Sequence, residues 1–225
     1  FKKEVDNRIN KDGDKKDEAI LKELQKLIKE SKDIRFEGNG YSEEWVKQAE
    51  KLGLPNLRTT PEALKVMKDK RIQKLFEQHK VLSNVEMDAR YEIDLENYIL
   101  KLQIEARMIG DLAQNNILPA AIAYQNKIIE NVRGLQEVLG KDDTHYKAQK
   151  TILQNISEHI NVIKTTIDEL AEARKKANKI ENTEKKAEAY CNKVKPFFDV
   201  IKYHSDKLET LVDDELWPMP KLREI

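Results

Sequence analysis

Residues 85–139 read VEMDARYEIDLENYILKLQIEARMIGDLAQNNILPAAIAYQNKIIENVRGLQEVL. Apolar residues recur at Leu95, Tyr98/Ile99, Leu102, Ala106, Ile109, Leu112/Ala113 and Ile117. Steps of three and four keep them on one face of a helix. Pro119 interrupts the pattern, which resumes at Ala121, Tyr124, Ile128, Val132, Leu135 and Leu139. Proline has no amide donor and clashes with the preceding turn, so the spacing predicts a kink or break just before it. Polar residues crowd that point: Arg107, Asp111, Gln114, Asn115, Asn116, Gln125 and Asn126. One reading is a solvated back face plus hydrogen bonds that mend the helix. The sharper reading makes Arg107, Asp111, Gln114, Asn115 and Asn116 a polar contact surface for another part of a larger protein.

Outward from this stretch the rest of the chain is also helical in pattern. Charged residues make up 36% of 225, with 41 basic and 41 acidic, so net charge is zero. No global field draws the chain to nucleic acid or an anionic membrane. Interspersed Lys and Glu, abundant Leu, Ile and Ala, and only seven Gly and six Pro are the composition of long amphipathic helices. One cysteine, Cys191, excludes an internal disulfide and fits a reducing, cytoplasmic setting. No apolar run approaches the roughly 20 residues of a bilayer span, and no signal peptide is visible. The start at Phe1, inside the helix-like FKKEVDNRI, reads as the continuation of a longer protein.

From the N-terminus, residues 1–9 read as the tail of a helix and residues 10–16 as a polar turn. Residues 17–31 form a helix with Ile20, Leu21, Leu24, Leu27 and Ile28 on one side. IRFEGNGY, residues 34–41, breaks it; a positive φ is expected somewhere in Gly38-Asn39-Gly40. Ser42 caps the next helix, which carries Trp45, Val46, Ala49 and Leu52 and stops at Gly53. Thr60 is read as a cap with Pro61 at the first helical position, opening a helix that continues to about His79. A break at residues 81–83 precedes the central stretch, and Gly140 closes it, with acidic residues ready to cap the next helix. A stripe at Ile152, Ile156, Ile160, Ile163, Ile167 and Leu170 defines another long helix. The last carries Ala187, Tyr190/Cys191, Val194, Phe197/Phe198, Ile201, Leu208 and Leu211, with a bend expected at Pro196 and a non-helical tail, LWPMPKLREI. The fold class is all-α: an elongated antiparallel bundle of three to four long helices, preceded by shorter helices and a Gly-rich turn.

No catalytic set emerges. A carboxylate-bridged metal bundle needs Glu-x-x-His pairs, and none of His79, His145, His159 or His204 has a Glu three residues before it. His159 and His204 read as hydrogen-bonded edge residues, and Cys191 as a buried thiol. Gly38-Asn39-Gly40 lacks the Gly-Lys-Ser/Thr end of a phosphate loop. The basic pairs near residues 175 and 185 are diluted by Glu172, Glu181 and Glu184. Phe36, Tyr41 and Trp45, close together around Asn39, cannot all be buried by so short a segment. They are expected to dock on another domain, or on the helices that flank them.

Several segments resemble the C-terminal region of type III glutamine synthetase, the large bacterial class. They are RFEGNGYSEEW (residues 35–45), LPNL (54–57), TTPEAL (59–64), RYEI (90–93), QIEAR (103–107), PAAI with YQN (119–126), ARKKAN (173–178) and VDDELWP (212–218). Two positions depart. Asn-His is expected before the Ile-x-Pro, where Asn115-Asn116 stand, so no histidine role carries over to the kink. An aromatic is expected where Leu222 stands.

The resemblance implies ATP-dependent joining of ammonia to glutamate through γ-glutamyl phosphate, with Mg, in a cytoplasmic double-ring homo-oligomer. ATP and Mg would belong to the parent enzyme and none to this chain, so no catalytic, cofactor or metal residue is carried over. Residues 1–80 would end the catalytic domain and residues 81–225 form the class-specific helical bundle. The partners would be the upstream catalytic domain and sister subunits, with no nucleic acid and no membrane. The rival reading is a stand-alone helical interaction or spacer module. It accounts for the composition, but not for the GNGYS turn or the Trp-Pro-Met-Pro tail.

Overall fold

The computed structural model describes residues 1–221, with only the backbone at Asp143. Position 222, one of the two departures named above, lies outside the described residues. Two compact units succeed one another along the chain, Phe1–Asn56 and Leu57–Ile225. Among the described residues there is no strand.

In the first unit, α1 (Lys2–Asn7) continues into one π-helical turn, Arg8–Asp12, which Gly13 ends at φ 74. α2 (Lys16–Glu30) packs back on α1, burying Val5 and Ala19. Arg8 pairs with the buried Glu23, and Lys22 with Asp14 at 2.8 Å. The apolar side of α2 read from the sequence is not core. Leu21, Leu24, Leu27 and Ile28 are all exposed, and the side facing α1 is the one with Ala19 and Glu23. α3 (Glu43–Lys51) begins as expected: Ser42 Oγ accepts from the Trp45 amide at 3.1 Å. Gly53 comes after it at φ 74.

The second unit opens with α4 (Thr60–Leu64). Its cap is Thr59, one residue earlier than the sequence reading placed it, in a reciprocal box with Glu62. The helix expected to run on to residue 79 is interrupted. A 3₁₀ turn, Lys65–Lys68, ends at Asp69, whose carboxylate accepts from the Arg71 amide at 2.8 Å and caps a separate α5 (Lys70–Gln78). An aspartate that can cap competes with helix continuation. Lys65 pairs with Glu184 at 3.0 Å and Glu188 at 2.6 Å, and Lys68 with Asp88 at 3.1 Å. Residues 57–80 therefore belong to the same compact unit as the bundle.

Three rods make the bundle. The first is α6 (Asn84–Leu112), a π turn (Ala113–Ile117) and α7 (Leu118–Leu139). The second is α8 (Lys147–Asn178). The third is α9 (Thr183–Ala189), a second π turn (Tyr190–Val194) and α10 (Pro196–Leu211). Gln125 bonds Ser157 at 2.7 Å and Gln103 bonds Asn178 at 3.0 Å, so α8 runs antiparallel to the first rod. Tyr190 bonds Asn178 and His204 meets His159, so the third rod runs antiparallel to α8. The expected stripes are the core: Leu95, Ile99, Leu102, Ala106, Ala113, Ile117, Ala121 and Ile128 pack with Ile156, Ile163, Leu170, Ala177, Val194, Ile201 and Leu208. Leu112 and Leu139, counted in the stripe, are exposed.

The interruptions at Pro119 and Pro196 have the same form. In each a π turn begins six residues before the proline, and its carbonyl bonds an amide five residues on: Ala113 to Leu118, Tyr190 to Lys195. The wider turn accommodates the missing donor without ending the rod. Gly140, at φ 84, ends α7 as expected. The acidic residues beyond it cap a 3₁₀ turn through Asp142 and not α8 itself, whose N-cap is Tyr146. The tail folds back: Trp217 is buried in the core, and Lys221 Nζ bonds the Val212 carbonyl at 3.1 Å.

Candidate contact surfaces

The first surface is the Gly-rich turn of the first unit. Phe36 and Trp45 stack, with ring centroids 3.9 Å apart and planes 28° apart. Gly38 makes this geometry possible: a Cβ there would stand 2.5 Å from the tip of the Phe36 ring. The positive φ expected in this turn is absent, since neither Gly38, Asn39 nor Gly40 adopts it. Glycine is needed for ring clearance, not for a left-handed backbone. Asn39 Oδ1 accepts from the Tyr41 amide at 3.0 Å and the Asn39 carbonyl from the Ser42 amide at 3.1 Å, a side-chain-assisted turn. Arg35 bonds the Ile28 carbonyl at 2.8 Å and ties the turn to α2. Phe36 and Trp45, with Ile34, Leu52 and Leu54, line a cleft of about 250 Å³. Tyr41 is 99% exposed. Of the three aromatics, two cover each other and the third meets solvent.

The second surface lies at the π turn of the first rod. Arg107, Asp111, Gln114 and Asn115 line an open cleft of about 480 Å³, closed on its far side by Arg174 of α8 and floored by Ala106, Ile167 and Leu170. Asn115 Nδ2 donates to Asp111 at 2.6 Å. Asn116 is not among the residues that line it. Gln125 instead bridges the rods through Ser157. Sequence reading missed Arg174, because only the antiparallel register of α8 brings it opposite Arg107. Below the cleft Tyr190 donates to Asn178 at 2.6 Å. Burial raises the Tyr190 hydroxyl pKa, and Gln103, Arg174 and Arg107 oppose that rise. The two guanidiniums thus act on one hydroxyl from two helices.

His159 and His204 form a pair, Nδ1 to Nδ1 at 2.8 Å. One ring donates and the other accepts, so at least one of the two is neutral. Burial and then His204 lower the His159 pKa. Cys191 is a buried free thiol, and the Tyr98 hydroxyl is pushed up by burial and by the neighbouring Cys191. Among the described residues no group of three or more His, Cys, Asp or Glu could hold a metal ion. No described helix is long and apolar enough to cross a membrane. The geometry offers stacking, ion pairing and hydrogen bonding to a partner.

The model of the glutamine synthetase C-terminal domain matches residues 19–136. A glutamine synthetase of Bacteroides fragilis (strain YCH46) is 40% identical over 227 residues, covering 100% of this chain and 31% of that protein. A type-3 glutamine synthetase of Dictyostelium discoideum is 34% identical, covering 92% of the chain and 30% of that protein. A glutamine synthetase of Butyrivibrio fibrisolvens is 25% identical, covering 95% and 30%. The chain thus spans about a third of the length of these relatives. With its full length matched and the family's domain running through α2, α3 and the first rod, the chain belongs to the glutamine synthetase C-terminal domain family.

Proposed function

We propose that this chain is the non-catalytic C-terminal part of a cytoplasmic type III glutamine synthetase, which joins ammonia to glutamate with ATP through γ-glutamyl phosphate. The carrying observation is the match over the whole chain to 31% of a glutamine synthetase. The chain's role is support of folding and of homo-oligomer assembly, with the catalytic domain upstream. Phe36, Asn39, Tyr41 and Trp45 are the contact toward that domain. An exposed tyrosine beside a stacked aromatic pair and the bare apolar side of α2 favour this reading. Arg107, Asp111, Gln114, Asn115 and Asn116 are the polar contact at the kink.

The test is phosphate release with ATP, glutamate, ammonia and Mg, assayed for the full-length protein and for this chain alone. The full-length protein turns over and the chain reads as the blank. Turnover by the pure chain would overturn the non-catalytic role. An inert full-length protein would overturn the parent's activity.

A further inference from the structure

Two columns of the first rod line the cleft at its π turn, opposite α8. Steps of four align Ala106, Gly110 and Gln114 in one column, and Arg107, Asp111 and Asn115 in the next. Gly110 stands inside a helix, where glycine is less favourable than alanine. No neighbour demands it: a Cβ there would meet nothing within 4 Å. The missing side chain leaves room, and a cavity of about 480 Å³ has the size of a small-ligand site. Gln114 and Asn115 belong to the π turn itself, a distortion that recurs at functional sites.

The charged groups decide the occupant. Those that line the cleft are Arg107, Arg174 and Asp111. Arg107 and Asp111 stand four residues apart on one helix, a spacing at which they could pair. Asp111 Oδ1 instead accepts from Asn115 at 2.6 Å, and neither guanidinium has an ion-pair partner among the described residues. Both arginines act on the Tyr190 hydroxyl, so they converge from two helices. The cleft therefore offers two cations, one anion and an apolar floor of Ile167 and Leu170. Its complement carries two carboxylates and one ammonium on a short hydrocarbon. Each guanidinium can hold a carboxylate through paired N–H donors, and the ammonium can donate to Asp111 Oδ2. A purely acidic protein segment would set its carboxylates against Asp111, and a dicarboxylate without an amine would leave Asp111 unmatched.

We propose that the cleft between the π turn of the first rod and α8 binds a small acidic α-amino acid. This rests on the reading of Arg107, Asp111, Gln114 and Asn115 as a contact at the kink, and names what they contact.

The experiment uses the full-length protein with isotope-labelled methionine methyl groups, read by NMR. Met108 lines the cleft, and its signal is assigned by its loss in Met108→Leu. The signal is local, so an amino acid bound elsewhere in the polypeptide does not enter. L-Aspartate or L-glutamate is expected to shift it saturably, at least about tenfold more tightly than succinate or glutarate, which lack the ammonium. Asp111→Asn erases that preference. Arg174→Gln weakens binding at least about tenfold, whereas Lys175→Gln, which removes the same charge outside the cleft, does not. Gly110→Leu fills the cleft and abolishes the shift while the helical circular dichroism persists. The proposal is overturned by the absence of a saturable shift below roughly 10 mM, by equal binding of the amine-free acids to the parent protein, or by binding that survives Arg174→Gln. The sedimentation mass of Arg107→Glu with Arg174→Glu separates the two readings. A lowered mass without amino-acid binding sinks the ligand alone and leaves a contact between protein surfaces. An unchanged mass without binding sinks the contact reading as well.

Discussion

Ile163 lies midway along α8 and is 0% exposed. Ile163→Ala removes three side-chain carbons, at about 0.8 kcal/mol each. A rigid surround leaves a cavity of roughly 60 Å³, which adds about 1.4 kcal/mol at ~24 cal/mol per Å³. The loss is therefore about 4 kcal/mol. For a unit of this size each kcal/mol moves the melting temperature by about 2–4 °C, so the fall is about 8–16 °C. Ile109 is only partly buried against the same core, and Ile109→Ala should cost less than half as much. Val138 is 81% exposed, and Val138→Ala should stay within about 0.5 kcal/mol. Ile163→Asp is worse than Ile163→Ala, since it also buries an unpaired carboxylate. The assay is thermal unfolding monitored by circular dichroism at 222 nm, roughly the usual helical minimum. If Ile163→Ala and Val138→Ala melt within about 2 °C of each other, the α8 stripe is not the core.

Two more outcomes are expected at the sites. Gly38→Ala forces the Phe36 ring off Trp45, so Trp45 emission, read in a Trp217→Phe background, shifts and becomes more readily quenched; an unchanged spectrum would remove ring clearance as the reason for glycine. The folded-state pKa of His159 is lowered by burial and by His204, so the stability linked to this ring is fully present above the unfolded value of about 6.5 and is lost as pH falls through the folded value. The melting temperature should drop as pH falls below about 6.5, and His159→Gln should flatten that part of the profile; an equally steep profile in the variant would place the titration elsewhere.

The long rods were legible because their apolar spacing is local and redundant. Leu95 to Ile128 and Ile156 to Leu170 repeat one signal many times, so a single odd residue cannot mask it. The Ser42 cap was legible for a similar reason: donor, acceptor and first turn are neighbours in sequence. Thr59 against Thr60 was not, because adjacent threonines offer the same chemistry and only the reach of Glu62 decides. Asp69 looked like an ordinary helical surface residue until its capping bond divided the helix. The apolar side of α2 misled, since periodicity shows that a face is apolar but not that the same unit covers it. At the contact surfaces, four of five kink residues shared one cleft because they sit on one helical face. Arg174 and the His159–His204 pair depend on register between helices far apart in sequence, which no local pattern encodes.

The two π turns also bear on how such a chain can change length. A turn closed by an i→i+5 bond holds one residue more than an α turn, and at 3.6 residues per turn that residue rotates everything beyond it by about 100°. Deleting one residue from a plain helix would swing its downstream stripe out of the core. Deleting one within Ala113–Ile117 or Tyr190–Val194 would instead restore α pairing locally, provided the proline went too. Single-residue gaps between relatives, coupled to loss of the nearby proline, should therefore gather at these two turns and be rare elsewhere along the rods.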